Sequence, residues 1–190
     1  MAAQPLQSPP DRSGPNPAIR LSEPHLEDGP ELWRLARDSR VLDVNSPYSY
    51  VLWCRDFAGT SVVARPTADP ATGPATGKPD RPCGFITGFT RPTAPDTLFV
   101  WQVAVDDSFR GQGLARRMLD DLGDRLAARG GGYVEATVTP DNTASTRMFE
   151  SFARNRGCEL ARSPLFGREH LPEGHEPEVL FRIGPVPPAI

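Results

Sequence analysis

The sequence predicts a single α/β domain built around a mixed sheet, and three observations support that prediction. A chain of 190 residues is long enough for one ordinary domain with a hydrophobic core. Its 38% hydrophobic and 24% charged residues are typical of globular proteins. Segments with the two-residue period of strands and segments with the helical period of about 3.6 residues follow one another along most of the chain.

The N-terminal part is predicted to contain one strand and two helices. Residues 18–21 can form the strand. Asp28 is a plausible N-cap for a helix that runs through about Arg37, and Pro30 lies near its first turn. Ser46, which is followed by a proline, marks the start of the second helix.

The middle of the chain reads as three strands with one long connection. Residues 60–64 are a β-branched run, and residues 84–90 and 98–105 alternate as strands do. The last alternation predicts one face made of Phe99, Trp101, Val103 and Val105, and the other of Val100, Gln102 and Ala104. Residues 65–81 are rich in Pro, Ala, Thr and Gly, so we expect a flexible loop at a hairpin tip.

The C-terminal half is predicted to continue with two helices and three strands. From Gly113 apolar residues recur with helical spacing until a run of three glycines begins at Gly130. Strands are expected at 133–139, 158–160 and 178–183. The helix that follows the strand at 133–139 is predicted to have one side made of Ser145, Met148, Phe149 and Phe152.

We expect residues 18–184 to form the domain, with loose ends on either side. Residues 1–17 are polar and Pro-rich, which predicts a disordered tail rather than a signal peptide, and 185–190 are Pro-rich again. The three cysteines form no Cys-x-x-Cys pair, as in a cytoplasmic protein with small buried thiols. A net charge of −3 and the lack of a long apolar stretch argue against nucleic-acid and membrane partners.

The segment from Val103 to Ala115 reads as a strand, a turn and a glycine-bearing loop that runs into a helix. The first N–H groups of a helix lack intrahelical partners, and the helix dipole adds positive potential there. Gly111 and Gly113 have no Cβ, so a phosphate can approach the backbone, and Arg110 adds a cation. The spacing fits neither a dinucleotide fingerprint nor a P-loop. An ordinary strand-to-helix turn is the structural alternative.

The same segment resembles the Arg/Gln-x-x-Gly-x-Gly/Ala signature of the GNAT acetyltransferases, with Arg110, Gly113 and Ala115 in the three defining places. The resemblance covers roughly residues 18–183. It implies the GNAT fold, with a mostly antiparallel sheet of about six to seven strands and about four helices, and acetyl-CoA as co-substrate. It also implies that backbone amides of Val103 and Val105 hold the pantetheine and acetyl carbonyl, and that the pyrophosphate lies on those of Arg110, Gly111, Gln112, Gly113, Leu114 and Ala115.

A second GNAT signature falls at Asn142 and Ser145, early in the next helix. By resemblance Asn142 can hydrogen-bond the pantetheine arm, although an asparagine there can also simply cap the helix. The family often has a tyrosine, as acid for the leaving thiolate, where this chain has Phe149. Phenylalanine has no proton to give, so the acid must be another residue or a water, or must be absent.

Three segments resemble the diaminobutyrate acetyltransferases within this family: residues 42–61, 101–105 and 175–183. That resemblance implies transfer of acetyl to the γ-amine of L-2,4-diaminobutyrate, in a cytoplasmic homodimer that serves synthesis of the osmoprotectant ectoine. The substrate carries two ammonium groups and one carboxylate, so its site needs acids and hydrogen bonders.

Five residues are the candidates for binding and converting this substrate. Asp43 and Glu178 can supply the anions, while Tyr48, Trp101 and His175 can form walls with polar tips. Because an imidazole titrates near neutrality, His175 is the candidate base, assisted by Glu178, and Tyr48 is the candidate acid. Turn chemistry, core packing and solvated rim positions are the structural alternatives for these residues.

We expect direct attack on the thioester, because no cysteine is placed by a motif as a nucleophile. A metal is not expected, since His170 and His175 have no third ligand in pattern. Two other functions remain open: acetylation of another small amine or a protein amine, and acetyl-CoA binding without catalysis.

Overall fold

The computed structural model of the chain describes residues 18–67 and 81–187. The predicted tail 1–17, most of the predicted loop 65–81 and the last three residues lie outside the described residues. Within the described ranges the elements, in chain order, are β1 (Ile19–Ser22), α1 (Gly29–Ser39), α2 (Pro47–Asp56), β2 (Val62–Pro66), β3 (Gly84–Arg91), β4 (Ala94–Val105), α3 (Leu114–Ala128), β5 (Tyr133–Val138), α4 (Thr143–Arg156), β6 (Glu159–Phe166) and β7 (Glu178–Gly184).

The strands form one sheet in the order β1-β2-β3-β4-β5-β7-β6. Every neighbouring pair is antiparallel except β4 and β5, which run parallel. One face packs on α3 and α4, and the β2–β4 part of the other face packs on α1 and α2. The predicted mixed, mostly antiparallel sheet is confirmed. No helix in the described part of the chain is long and apolar enough to cross a membrane.

Strands β4 and β5 separate halfway along their length. Their pairing begins at Thr97 and Tyr133 and ends at Val100 and Ala136. Beyond that point β4 continues beside β3 as far as Val105, while β5 continues beside β7. The second half of β4 therefore borders a gap in the sheet.

A β-bulge at Trp101 coincides with this separation. Gly88 pairs with Val100 and Thr87 pairs with Gln102, which leaves Trp101 as the extra residue on β4. An extra residue shifts the alternation of side chains by one position. As a result the consecutive residues Trp101 and Gln102 both face α2, where each has a partner described below.

The two faces predicted for residues 98–105 are therefore wrong. Val100 shares the α3 and α4 face with Val103 and Val105, although it was predicted to lie opposite them. Trp101 lies opposite Val103 and Val105, although it was predicted to share their face. A strict two-residue alternation does not allow for an inserted residue. If the alternation is counted from the first half of β4, every residue past the bulge is therefore assigned to the wrong face of the sheet.

The start of α1 also differs from the prediction. Asp28 precedes the helix, but its backbone is already helical and its side chain does not cap α1. The carboxylate instead accepts hydrogen bonds from Nη1 (2.9 Å) and Nη2 (2.6 Å) of Arg65, and both side chains are buried. Because a buried carboxylate needs a cationic partner, this residue ties α1 to β2 rather than capping the helix. Pro30 lies in the first turn as predicted.

Strand β6 is longer than the predicted 158–160. It continues to Phe166 because residues 159–166 pair along most of β7, with a register shift near Pro164. Its exposed residues carry little apolar alternation, so the sequence pattern stops earlier than the backbone pairing.

Candidate active site

The loop between β4 and α3 has the geometry of an anion cradle. Asp106 accepts a hydrogen bond from the N–H of Ser108 (3.0 Å) and starts a single 3-10 turn. Gly111 (φ 77°) and Gly113 (φ 70°) then adopt left-handed backbone conformations, and α3 begins at Leu114. A Cβ built on either glycine meets no atom within 4 Å. The space above these residues is open, and the first amides of a 15-residue helix adjoin it.

A cleft runs from this loop along the gap in the sheet to the start of α4, and we call it the β4 cleft. It gathers six of the predicted coenzyme residues: Val103, Val105, Arg110, Ala115, Asn142 and Ser145. The loop residues 111–114 adjoin it, and of these Leu114 offers only its backbone because its side chain is buried in the core. The remaining lining comes from Ser39, Val41, Leu42, Ala104, Ala144 and Met148.

The backbone of β4 presents polar groups toward the gap. The N–H of Asp106 donates to the carbonyl of Cys83 (2.8 Å), next to the start of β3. Because successive strand residues direct their N–H and C=O groups to opposite edges, those of Val103 and Val105 face away from β3. Arg110 donates through Nε to the Val105 carbonyl (3.3 Å) on that edge. The amides of Val103 and Val105 therefore face the side from which β5 has diverged.

Asn142 caps α4, as the structural alternative anticipated. Its Oδ1 accepts the N–H of Ser145 at 3.0 Å. Because Asn142 also lines the β4 cleft, capping leaves its Nδ2 group as a donor toward a ligand there.

Asp43, His175 and Glu178 lie together, and we call them the Asp43 cluster. Oδ2 of Asp43 is 3.9 Å from Nδ1 of His175. Burial raises the pKa of Glu178, with the Asp43 charge adding to the increase, while a hydrogen bond from Thr137 and the nearby His175 oppose it. Its Oε2 atom is buried and has no hydrogen-bond partner among the described residues. Three of the five predicted substrate residues thus come together from two distant segments.

The other two substrate candidates are aromatic and solvent-accessible. Trp101 stacks on Trp53 of α2, with ring centroids 5.8 Å apart, and is 48% exposed, so it is not an ordinary core residue. Tyr48 lies in the first turn of α2 and is 68% exposed. No hydrogen bond within residues 18–67 and 81–187 joins Tyr48 to the Asp43 cluster.

Gln102 is a residue of this site that the sequence pattern did not indicate. Its buried amide accepts a hydrogen bond from the hydroxyl of Tyr50 (3.0 Å) and donates through Nε2 to the carbonyl of Asp43 (2.8 Å). The signal available in the sequence was a lone amide inside an apolar strand. Its partners depend on the bulge at Trp101, which the pattern did not reveal.

Phe149, at the position where GNAT acetyltransferases often have a tyrosine, belongs to the core. It is buried and packs on Phe181 with ring centroids 6.2 Å apart. The protein therefore has no hydroxyl acid at this position.

The thiols are poorly suited to nucleophilic attack. Burial raises the pKa of Cys54 and of Cys83 to about 12, and burial also raises the pKa of Cys158. At neutral pH these groups stay protonated, whereas the nucleophilic form is the thiolate. In the described part of the chain no group of three or more His, Cys, Asp and Glu residues is arranged to hold a metal ion.

Comparisons with known proteins agree with this geometry. The sequence pattern of the acetyltransferase (GNAT) family matches residues 30–153. The chain is 54% identical over 170 residues to the L-2,4-diaminobutyric acid acetyltransferase of Streptomyces coelicolor, an alignment that covers 88% of this chain and 94% of the relative. It is 41% identical over 171 residues to the enzyme of the same name from Halalkalibacterium halodurans, with 90% and 84% covered.

A solved structure of a diaminobutyrate acetyltransferase from Paenibacillus lautus, in complex with its substrate L-2,4-diaminobutyric acid and coenzyme A, superposes with a TM-score of 0.78. The two sequences are 38% identical, and the match covers 92% of this chain and 99% of that one. The ribosomal-protein-S18-alanine N-acetyltransferase of Escherichia coli shares the fold at a TM-score of 0.61 and 18% identity, with 91% and 97% covered.

Proposed function

This chain belongs to the L-2,4-diaminobutyric acid acetyltransferases of the GNAT family, and we propose that it transfers acetyl from acetyl-CoA to the γ-amine of L-2,4-diaminobutyrate. One observation carries the proposal. Leu42 lines the β4 cleft, and the next residue, Asp43, lies beside His175. Adjacent residues therefore join a cleft suited to a coenzyme to a cluster suited to a cationic amine.

The residues of the β4 cleft fit acetyl-CoA. The open space over Gly111 and Gly113 admits a pyrophosphate against backbone amides, as at other helix N-termini that bind phosphate. Arg110 adds positive charge at the edge of this space. The amides of Val103 and Val105 act as hydrogen-bond donors toward the pantetheine arm and the thioester oxygen, where charge develops during the reaction.

The Asp43 cluster fits the amine substrate. Diaminobutyrate has two ammonium groups, and the exposed carboxylate of Asp43 and the partly buried carboxylate of Glu178 offer them ion pairs. Trp101 and Tyr48 expose aromatic surface that can enclose the short carbon chain. A diamine is thereby favoured over a monoamine, because the second ammonium has an acidic partner.

The reaction proceeds by direct attack. An amine with a pKa near 10.4 is neutral in only about one molecule per thousand near pH 7, so a base must remove its proton. His175 accepts that proton, and Glu178 supports the resulting cation. The amine nitrogen then forms a bond to the thioester carbon and gives a tetrahedral intermediate. As this intermediate collapses the carbon–sulfur bond breaks, Tyr48 donates a proton to the departing thiolate, and the second proton of the nitrogen passes through water to restore the Tyr48 hydroxyl. The high thiol pKa values of Cys54 and Cys83 speak against an acetyl-enzyme.

The biological setting follows from the same reaction. We propose that the protein acts in the cytoplasm as a homodimer and serves osmoprotection by supplying the acetylated diamine for ectoine synthesis. Analytical ultracentrifugation at two or more protein concentrations tests the dimer, and a predominantly monomeric active enzyme contradicts it.

The experiment that tests the function measures thiol release from acetyl-CoA with diaminobutyrate, ornithine, lysine and a short peptide as acceptors. We expect diaminobutyrate to give the highest kcat/KM. Release with the peptide alone assigns the chain to a protein acetyltransferase. Coenzyme binding without release from any acceptor assigns it to a non-catalytic binder, the alternative that Phe149 motivates.

A further inference from the structure

The loop that carries Asp43 is fastened from inside the protein. Ser39 Oγ at the end of α1 accepts the N–H groups of Val41 (3.4 Å) and Leu42 (3.3 Å). The next fastening point is the Asp43 carbonyl, which accepts a hydrogen bond from Nε2 of Gln102 at 2.8 Å. Residues 39–42 thus hold the side of the loop that lines the β4 cleft, whereas Gln102 holds the side that faces the Asp43 cluster.

Gln102 is itself held by a second buried group. The hydroxyl of Tyr50 donates to Oε1 of Gln102 at 3.0 Å, and it also hydrogen-bonds Asn45 through both backbone and side chain. Gln102 and Tyr50 are almost completely buried. An amide is suited to this position because one end accepts a hydrogen bond while the other donates one. Neither a leucine nor a carboxylate can make both contacts.

The Asp43 carboxylate has little other support. Its side chain is 91% exposed, so packing does not fix its position. Its approach to His175, 3.9 Å from Oδ2 to Nδ1, therefore depends on where the backbone of residue 43 is held. The hydrogen bond from Gln102 is made at that residue.

We propose that Gln102, braced by Tyr50, is a positioning residue that sets Asp43 for recognition of the amine substrate. The proposal rests on the proposed function, because it assigns the amine to the Asp43 cluster. The proposal predicts different effects on the two substrates. The side of the loop that lines the β4 cleft is held by its own hydrogen bonds to Ser39, so loss of Gln102 should weaken amine binding and leave coenzyme binding unchanged.

The first test compares Gln102→Leu with Thr87→Val. Thr87 pairs with Gln102 across β3 and β4, is also buried, and its hydroxyl has no partner among the described residues. In Gln102→Leu we expect KM for diaminobutyrate to rise about tenfold, while Kd for acetyl-CoA changes by less than about twofold. Thr87→Val should leave both values unchanged. An unchanged KM in Gln102→Leu, or an equal loss for both ligands, overturns the proposal.

The second test uses Gln102→Glu, which keeps the size of the side chain. The introduced carboxyl can donate to the Asp43 carbonyl only while it is protonated, and burial favours the protonated form. We expect the ratio of variant to wild-type KM for the diamine to be near ten at alkaline pH and to fall to about two near pH 6. Taking the ratio cancels titration of the substrate. A ratio that does not change with pH contradicts the positioning role.

The third measurement does not require turnover. Amide hydrogen exchange of Asn45, whose N–H group hydrogen-bonds the Tyr50 hydroxyl, should accelerate at least about tenfold in Gln102→Leu and remain unchanged in Thr87→Val. If the wild-type enzyme does not acetylate diaminobutyrate but this amide exchanges faster in Gln102→Leu, the proposed function fails and the positioning role of Gln102 stands. If it does acetylate diaminobutyrate and this amide stays protected in Gln102→Leu, the positioning role fails and the function stands.

Discussion

The β4 cleft and the Asp43 cluster meet at neighbouring residues, yet they are built from different parts of the chain. The cleft takes most of its polar groups from the backbone of one contiguous segment, residues 103–115, with Asn142 added from α4. The cluster takes its carboxylates and its imidazole from residue 43 and from residues 175 and 178, two segments that lie far apart in the sequence. A backbone site depends on local conformation, whereas a side-chain site depends on tertiary packing.

This difference has a chemical reason. Phosphate and thioester oxygens are acceptors, and backbone N–H groups at a helix N-terminus or a free strand edge satisfy them without help from particular side chains. An ammonium group needs acceptors with negative charge, which only Asp and Glu provide in quantity. The protein can therefore bind the coenzyme through backbone groups placed by the local conformation, and select the amine substrate through side chains.

The largest effect is expected from His175→Ala, which acts on the cluster alone. Loss of a general base reduces rates by about 100-fold or more, so kcat should fall by at least that factor while Kd for acetyl-CoA stays the same. His170→Ala is the control, because His170 lies outside the cluster, where its Nδ1 accepts the N–H of Gly167. A fall in coenzyme affinity in His175→Ala, or an equal loss of activity in the two variants, would contradict the separate roles of the cluster and the cleft.

The cleft is tested by Gly113→Ala beside Gly130→Ala. Both glycines have left-handed backbones, φ 70° and φ 77°, and open space around a Cβ, but Gly130 lies at the far end of α3. Each variant should lose about 1–2 kcal/mol of stability from the strained backbone. Only Gly113→Ala should weaken coenzyme binding, by about 30-fold, because its methyl group occupies the phosphate space. Isothermal titration calorimetry measures the difference, and similar affinities in the two variants contradict the cradle.

The acid is tested by Tyr48→Phe, with Tyr133→Phe as control. Tyr133 lies at the start of β5, where its ring contacts Arg182. We expect kcat to fall about tenfold in Tyr48→Phe only, since a water can replace a solvent-exposed acid in part. Steady-state kinetics that leave kcat unchanged would remove Tyr48 from the mechanism and favour water as the acid.

The smallest effect is a gain in stability from Glu178→Gln. Because burial raises the pKa of Glu178, the folded protein holds this proton more tightly than the unfolded chain does. Wild-type stability should therefore fall as pH rises from the ordinary glutamate range near 4.3 through the raised value, and the cost persists near pH 7. The variant should melt at a higher temperature near pH 7 and match the wild type at about pH 4. An equal difference at both pH values contradicts a buried, costly carboxylate.

Much of the fold and the cleft was predictable because both depend on local patterns. Ser46 and Pro47 marked α2, and the Gly113 region marked α3, through chemistry that acts within a few residues. The phase of β4 was not predicted, because β4 itself has no Gly or Pro next to the bulge at Trp101, and Gly88, which lies at the register shift, belongs to the neighbouring strand β3. That single shift also concealed Gln102, whose partners Tyr50 and Asp43 become neighbours only in the folded sheet.

The most direct test of the central claim is NMR of the product formed from diaminobutyrate and acetyl-CoA labelled with ¹³C in the acetyl group. The account predicts one acetylated product, with the labelled acetyl group on the γ-nitrogen, because a carboxylate of the Asp43 cluster pairs with the α-ammonium and leaves the γ-amine to reach the thioester. Label on the α-nitrogen, or a mixture of both products, would contradict the assignment of the cluster as the site that orients the amine.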